Sequence, residues 1–131
     1  MLSPSRPLSP HLQVYRFMYT MAASIMHRAT GIVLSIGLLV LCGWLVALAG
    51  GPDDYDAALV LLQSPPGLVV LTGLLAAFWY HLCAGIRHLF WDSGIGINKS
   101  AARRSAGAIV LATVVLTALS AYALFAHAVR T

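Results

Sequence analysis

Two histidines lie on one face of an apolar stretch in the second half of the chain. His81, Gly85 and His88 are spaced so that, at about 100° per residue, they share one side of a helix, and Ala77 extends that side by one turn. A neutral imidazole coordinates iron well, and small residues four positions before and after His81 leave room for a flat macrocycle. One interpretation is that His81 is a metal or haem ligand. The alternative is a histidine that donates a hydrogen bond across a helix interface.

A single histidine cannot complete a six-coordinate haem, so a second axial ligand is required. The remaining candidates in this chain, besides a residue of another chain, are His11, His27, His88 and His127.

A second polar cluster lies near the start of the first apolar stretch. Ser24, His27 and Arg28 have i, i+3 and i+4 spacings and therefore share one helix face. Together with Arg87, His88 and Asp92 they would place hydroxyl, imidazole, guanidinium and carboxylate groups at one depth. Such a set suits an amphipathic ligand whose polar head needs hydrogen bonds and protons. For either arginine alone, the alternative is interfacial anchoring, with the basic group extending to lipid headgroups.

The composition places these clusters in a membrane. Of 131 residues, 60% are apolar and only 9% are charged, whereas soluble domains have about 45–50% apolar and about 25% charged residues. Eight Lys and Arg against four Asp and Glu give a net charge of +4. These basic residues flank apolar stretches rather than forming a basic surface with aromatics, so nucleic acid is excluded as a partner. Cys42 and Cys83 lie in apolar stretches and are predicted to be small buried apolar residues.

Three stretches without Asp, Glu, Lys or Arg are 24, 30 and 25 residues long. Each exceeds the roughly 20 residues that a helix needs to cross a bilayer. The sequence therefore predicts an all-α membrane protein with three transmembrane helices at about 22–49, 67–90 and 104–128. The expected domains are a cytoplasmic N-terminal segment, 1–21, and a transmembrane domain, 22–131.

The orientation follows from the charges beside these helices. Basic residues lie in the N-terminal segment and in the second loop. The first loop is acidic, with Asp53, Asp54 and Asp56, and is expected to be a solvated turn. The positive-inside rule then places the N-terminus and the second loop on the cytoplasmic side. His81 lies six residues deeper than Arg87, or about 9 Å at about 1.5 Å per residue. His81 is therefore the most deeply placed ionisable residue.

At these clusters the sequence resembles the cytochrome b membrane-anchor subunit of succinate dehydrogenase, respiratory complex II. Three motifs carry the resemblance, and their order and spacing agree over nearly the whole chain. Residues 6–12 read RPLSPHL and are followed by Tyr15, residues 24–31 read SIMHRATG, and residues 81–92 carry His81, Gly85, Arg87, His88, Leu89 and Asp92.

The resemblance implies a role for each matching residue. His81 would be one axial ligand of haem b, and the second anchor subunit would supply the other. Ser24 and Arg28 would line a ubiquinone pocket, and Asp92 would lie near that pocket and its proton path. A looser assignment puts His27, Arg28 and His88 near the haem propionates.

The resemblance also implies a function in respiratory electron transport and the tricarboxylic acid cycle. The chain would pack with a second hydrophobic anchor subunit and join an iron–sulfur subunit and a flavoprotein subunit, in an assembly that could be a trimer of heterotetramers. Because the chain carries no succinate or flavin motif, we expect no succinate oxidation by this chain alone. The alternative function is a purely structural, haem-free anchor for soluble redox subunits. A small multidrug-type transporter is disfavoured because all four acids lie at borders or in loops.

The resemblance also bears on location. The RPLSPHL motif starts at Arg6, which leaves no room for a transit peptide, so we expect a bacterial inner membrane rather than a mitochondrial one.

Overall fold

A computed structural model describes residues 17–128 and consists of helices joined by short connections. The helices are α1, Tyr19–Gly50; α2, Pro52–Gln63; α3, Pro65–Asp92; and α4, Lys99–Ala128. Helices α1, α3 and α4 are long and apolar enough to cross a membrane. The predicted all-α class with three membrane-spanning helices is confirmed. The RPLSPHL motif and Tyr15 lie outside the described residues.

The first loop differs from the predicted solvated turn, because it contains the 12-residue helix α2. Gly51 has a φ of 114°, a backbone conformation that favours glycine, and it separates α1 from α2. Pro52 then occupies the first turn of α2, where proline is tolerated, and Asp53 and Asp54 face the positive end of the helix dipole. The aspartates therefore start a helix rather than a turn.

Helix α3 begins two residues before its predicted start, at Pro65. The Ser64 hydroxyl caps it by accepting a hydrogen bond from the Gly67 backbone N–H at 3.3 Å. Pro65 and Pro66 lack backbone N–H groups, and the first turn of a helix is where this causes no loss. The start of α3 is thus defined by residues that precede the apolar stretch.

The surface of the bundle is apolar and its interior is small. Large apolar side chains such as Leu39, Val46 and Val69 are more than 70% exposed. The buried residues of the described chain are mostly small, and they are Ala23, Thr30, Ala77, Tyr80, Ala84, Arg87, Ala106 and Ile109. This distribution is typical of helices that pack through small residues within lipid. Cys42 is exposed rather than buried, which corrects its predicted placement, and Cys83 is half-buried.

Helix α3 lies between α1 and α4 and bonds to both. The Tyr80 hydroxyl donates to the Ala23 carbonyl of α1 at 3.1 Å. The Trp79 indole N–H donates to the Ser120 hydroxyl of α4 at 3.1 Å. Side chains in the middle of α3 therefore bond to both neighbouring helices.

Arg87 bonds to α4 and does not extend to the membrane surface. Its Nε donates to the Ser105 hydroxyl at 3.0 Å, and its Nη2 donates to the Ala102 carbonyl at 3.1 Å. The guanidinium carbon lies 3.9 Å from the ring centroid of Trp91, and Arg87 is only 7% exposed. Interfacial anchoring is therefore wrong for Arg87, and its guanidinium does not join the polar cluster of α1.

We expect Arg87→Leu to lower the stability of the α3–α4 pair. The substitution removes two hydrogen bonds from a charged donor, each of which contributes about 1.5–3 kcal/mol, while the Ser105 hydroxyl still donates to the Ala102 carbonyl. Thermal unfolding of the purified protein, followed by circular dichroism, measures the effect. Arg104→Leu is the control because Arg104 is exposed on α4. Equal transition temperatures for the two variants would show that the Arg87 contacts do not stabilise the fold.

Candidate functional site

Three histidines from two helices contact one another and are here called the imidazole cluster: His27 of α1, and His81 and His88 of α3. The ring centroids of His27 and His81 are 4.3 Å apart, and those of His27 and His88 are 5.0 Å apart. His27 lies between the other two rings because residues 81 and 88 share the α3 face that contacts α1. The predicted common face of His81 and His88 is thus confirmed.

One nitrogen of His81 is engaged by α1. Its Nδ1 lies 3.1 Å from the carbonyl oxygen of His27 and 3.3 Å from the Thr30 hydroxyl oxygen. The Thr30 hydroxyl in turn donates to the same His27 carbonyl at 2.9 Å. A carbonyl oxygen can only accept, so this hydrogen bond requires the proton on Nδ1 and leaves the lone pair on Nε2.

This arrangement contains the cross-helix hydrogen bond of the structural alternative, and the ligand interpretation stays a prediction. The Nδ1 of His81 donates across a helix interface, as the structural alternative requires. Within residues 17–128, no side chain or carbonyl forms a hydrogen bond with its Nε2. Neutral imidazoles that bind metals commonly use one nitrogen as ligand while the other donates to a carbonyl. His81 therefore has the donor arrangement of a metal ligand.

The cluster geometry excludes His27 as the opposite ligand of the same iron. Two nitrogens on opposite sides of a metal lie about 4 Å apart, since each bond is about 2.0–2.1 Å. Their ring centroids lie farther apart still, whereas the centroids of His27 and His81 are only 4.3 Å apart, with the ring planes tilted by 38°. His88 lies on the far side of His27. His11 lies outside the described residues, and the side chain of His127 is not described.

Gly31 allows α1 to approach His81 closely. A Cβ atom at Gly31 would lie 3.1 Å from Cε1 of the His81 ring, tighter than most contacts of this kind. At this position α1 therefore contacts the imidazole itself.

The predicted room for a macrocycle is present on one side of His81 only. A Cβ at Gly85 would meet no heavy atom within 4 Å. Ala77, however, is only 8% exposed because it packs within the bundle. A flat group would therefore lie beside Gly85 and not beside Ala77.

His27 carries a buried nitrogen without a partner. Its Nε2 is inaccessible to solvent and forms no hydrogen bond with the described residues. Burying such an atom without a partner costs about 1–3 kcal/mol. An unpaired polar atom beside the imidazole cluster is consistent with a further group that this chain does not supply.

The residues predicted to bind quinone lie at the same end of the bundle but form no cluster. Ser24 is half-buried on α1, whereas Arg28 and Asp92 are exposed. In the described part of the chain, none of the three side chains bonds to another of them. A cavity of about 400 Å³ lies instead between α3 and α4, beside Arg87 and Trp91, and Ser24, Arg28 and Asp92 are not among its lining residues.

Sequence reasoning missed Thr30, which contacts both Nδ1 of His81 and the carbonyl that fixes it. A signal was available, since Thr30 follows His27 by three residues and lies on the same face. No group of three or more His, Cys, Asp or Glu that could hold a metal ion occurs among the residues that the structure describes. The described residues therefore contain no complete metal site.

The fold and the site define a membrane protein of three long helices that holds one ligand-competent imidazole between two of them. The chain belongs to the family of succinate dehydrogenase/fumarate reductase transmembrane subunits, which matches residues 3–120. The family resemblance predicted from the three motifs is thereby confirmed.

Three relatives illustrate the similarity. The succinate dehydrogenase cytochrome b556 subunit of Paracoccus denitrificans is 43% identical over 121 residues, which cover 92% of this chain and 93% of the relative. That of Rickettsia felis is 37% identical over 117 residues, or 87% and 89% of the two chains. The mitochondrial cytochrome b560 subunit of Sus scrofa is 40% identical over 130 residues, or 95% and 73%.

Proposed function

We propose that this chain is a membrane-anchor subunit of a succinate:ubiquinone oxidoreductase that holds haem b together with a second anchor subunit. The main support is the hydrogen bonding of His81. Its Nδ1 is bonded to an α1 carbonyl, and its Nε2 has no partner among the described residues. The related proteins are named as cytochrome b subunits of succinate dehydrogenase. The chain carries a ligand for a cofactor and no motif for oxidising succinate.

The residues around His81 fit haem b. His81 would ligate the iron through Nε2, and Gly85 would leave space for the porphyrin plane. His27 and His88 would lie near the propionates, and Arg28 would balance their charge. When bound, haem b supplies a one-electron redox centre. His27 cannot be the opposite ligand, and the family resemblance implies that the partner anchor subunit would supply the second ligand.

Ser24, Arg28 and Asp92 would form this chain's share of a quinone-reduction site. The Ser24 hydroxyl can donate to a quinone carbonyl, and the exposed Arg28 guanidinium can stabilise negative charge that develops on the oxygen during reduction. Asp92 ends α3 at the same membrane face and, with His88, can pass protons toward the site. The separation of these residues within this chain is consistent with a site completed by other subunits.

Charge and exposure support the proposed partners and orientation. The exposed apolar sides of α1, α3 and α4 fit lipid and a second hydrophobic subunit. The basic residues beside the start of α1 and between α3 and α4 favour a cytoplasmic N-terminus. The iron–sulfur and flavoprotein subunits would dock at this face. A trimer of heterotetramers and a bacterial inner membrane stay predictions.

Purification of the tagged chain from its native membrane tests the assignment to this complex. We expect a flavoprotein, an iron–sulfur protein and a second hydrophobic subunit to co-purify, and the preparation to reduce a ubiquinone analogue with succinate. Co-purification of the soluble subunits with no haem would favour the purely structural anchor. Absence of all three partners would contradict the proposed function.

We expect Gly31→Ala to weaken haem binding. The added methyl group would lie 3.1 Å from the His81 ring and would displace the imidazole by a few tenths of an ångström. Disturbing groups that orient a metal ligand costs about 10–100-fold in affinity. Haem content per iron–sulfur subunit measures the loss. Gly43→Ala is the matched control on α1, since its Cβ would meet nothing within 4 Å. Equal haem content in both variants would refute the close-contact explanation.

A further inference from the structure

Thr30 is one of two polar residues of the described chain that are buried in the bundle. Its hydroxyl oxygen contacts two atoms of the imidazole cluster: it donates to the His27 carbonyl at 2.9 Å and lies 3.3 Å from Nδ1 of His81. The three atoms form a triangle, because Nδ1 of His81 also lies 3.1 Å from the His27 carbonyl. A hydroxyl bond to the carbonyl three residues earlier in a helix is common, but here a ligand imidazole from another helix shares both atoms.

We infer that Thr30 is a positioning residue that sets the electronic character of His81 as an iron ligand. The inference rests on the proposed haem function. With its proton donated to the carbonyl, the Thr30 hydroxyl presents its oxygen lone pairs toward the Nδ1–H of His81. That N–H is then shared between two acceptors from the same turn of α1, which fixes the ring orientation and keeps the ligand proton on Nδ1.

Hydrogen bonding to the outer N–H of a ligand histidine raises the basicity of the ligating nitrogen. A more basic ligand stabilises ferric iron more than ferrous iron, because the ferric ion carries the higher charge. Loss of the Thr30 hydroxyl should therefore make haem b easier to reduce. Gly31, the next residue, lets the His81 ring reach this position, so two adjacent residues of α1 serve the same ligand.

Wild-type Thr30 and three variants at this position separate the effect of the hydroxyl from the effect of side-chain volume. Thr30→Val keeps the shape and removes the hydroxyl, Thr30→Ser keeps the hydroxyl and removes the methyl group, and Thr30→Ala removes both. The measurement is a potentiometric titration of haem b in the purified complex, together with the haem content per iron–sulfur subunit. Thr113→Val is the matched control, because its hydroxyl bonds only to the Ile109 carbonyl of its own helix at 2.8 Å.

We expect Thr30→Val and Thr30→Ala to raise the midpoint potential, and Thr30→Ser and Thr113→Val to retain the wild-type value. A tenfold change in the ratio of ferric to ferrous binding corresponds to about 59 mV for one electron. If the midpoint potential changed in Thr30→Ser and Thr30→Ala but not in Thr30→Val, it would depend on side-chain volume, and the inference would be overturned. If the Val variant does not assemble, the comparison of Ser with Ala still decides between hydroxyl and volume.

The outcomes separate this inference from the proposed function. A wild-type complex without haem b would contradict the proposed function itself. A wild-type complex with haem b, in which all three Thr30 variants titrate like Thr113→Val, would leave the function intact and overturn the role of Thr30.

Discussion

A complex that carries His81→Ala is expected to lose the haem b absorption of the reduced protein. The Nδ1 hydrogen bond of His81 to the His27 carbonyl leaves Nε2 as a lone-pair donor. We expect neither of the other rings in the imidazole cluster to replace it, because His27 packs directly against His81 and His88 packs against His27. Alanine is preferred to tyrosine as the replacement since a phenolate can itself ligate haem.

His127→Ala is the control for this experiment, since residue 127 lies at the C-terminal end of α4, away from the connection between α3 and α4. It should retain the full absorption. Added imidazole should restore part of the signal to the His81→Ala complex by filling the vacated ligand position. An unchanged spectrum in His81→Ala would remove His81 from the ligand role, whatever the stability of the complex.

A complex that carries Arg28→Leu is expected to reduce ubiquinone about 10²–10³-fold more slowly, the usual cost of losing a group that stabilises developing negative charge. Ser24→Ala should lower the rate less, because a neutral hydroxyl donor is weaker than a guanidinium. Reduction of an artificial dye that accepts electrons before the quinone site should stay at the wild-type rate. The ratio of quinone to dye reduction with succinate as donor is the measurement.

Arg104→Leu is the matched control, because Arg104 is also an exposed arginine near the same membrane face. It should keep both activities. Loss of quinone and dye reduction to the same degree in Arg28→Leu would indicate an assembly defect and contradict a role in the quinone site.

The long helices could be predicted from the sequence because a bilayer imposes a length on any chain that crosses it. Helix α2 was missed because its acidic first turn resembles a loop when only charge is considered. Its helical start depends on local backbone features, the positive φ of Gly51 and the proline that follows it. Such capping residues determine where a short helix begins, and a hydropathy pattern does not detect them.

The imidazole cluster was partly predictable, since helical spacing alone brings residues 81 and 88 to one face. Which helix that face meets depends on tertiary packing, and so the contact of His27 with both rings was not predictable. The same holds for Arg87, which was grouped with the polar residues of α1 but bonds to α4 through Ser105. The helical period predicts on which face of its own helix a side chain lies. It does not predict which neighbouring helix that face contacts.

The most direct test of the central claim is a reduced-minus-oxidised spectrum of the wild-type complex, purified in detergent with its subunits identified. We predict a b-type haem signal at one haem per copy of this chain, in the same particle as the flavoprotein and iron–sulfur subunits. A complex that contains all its subunits and reduces quinone, but shows no haem signal, would contradict the assignment of His81 as a haem ligand.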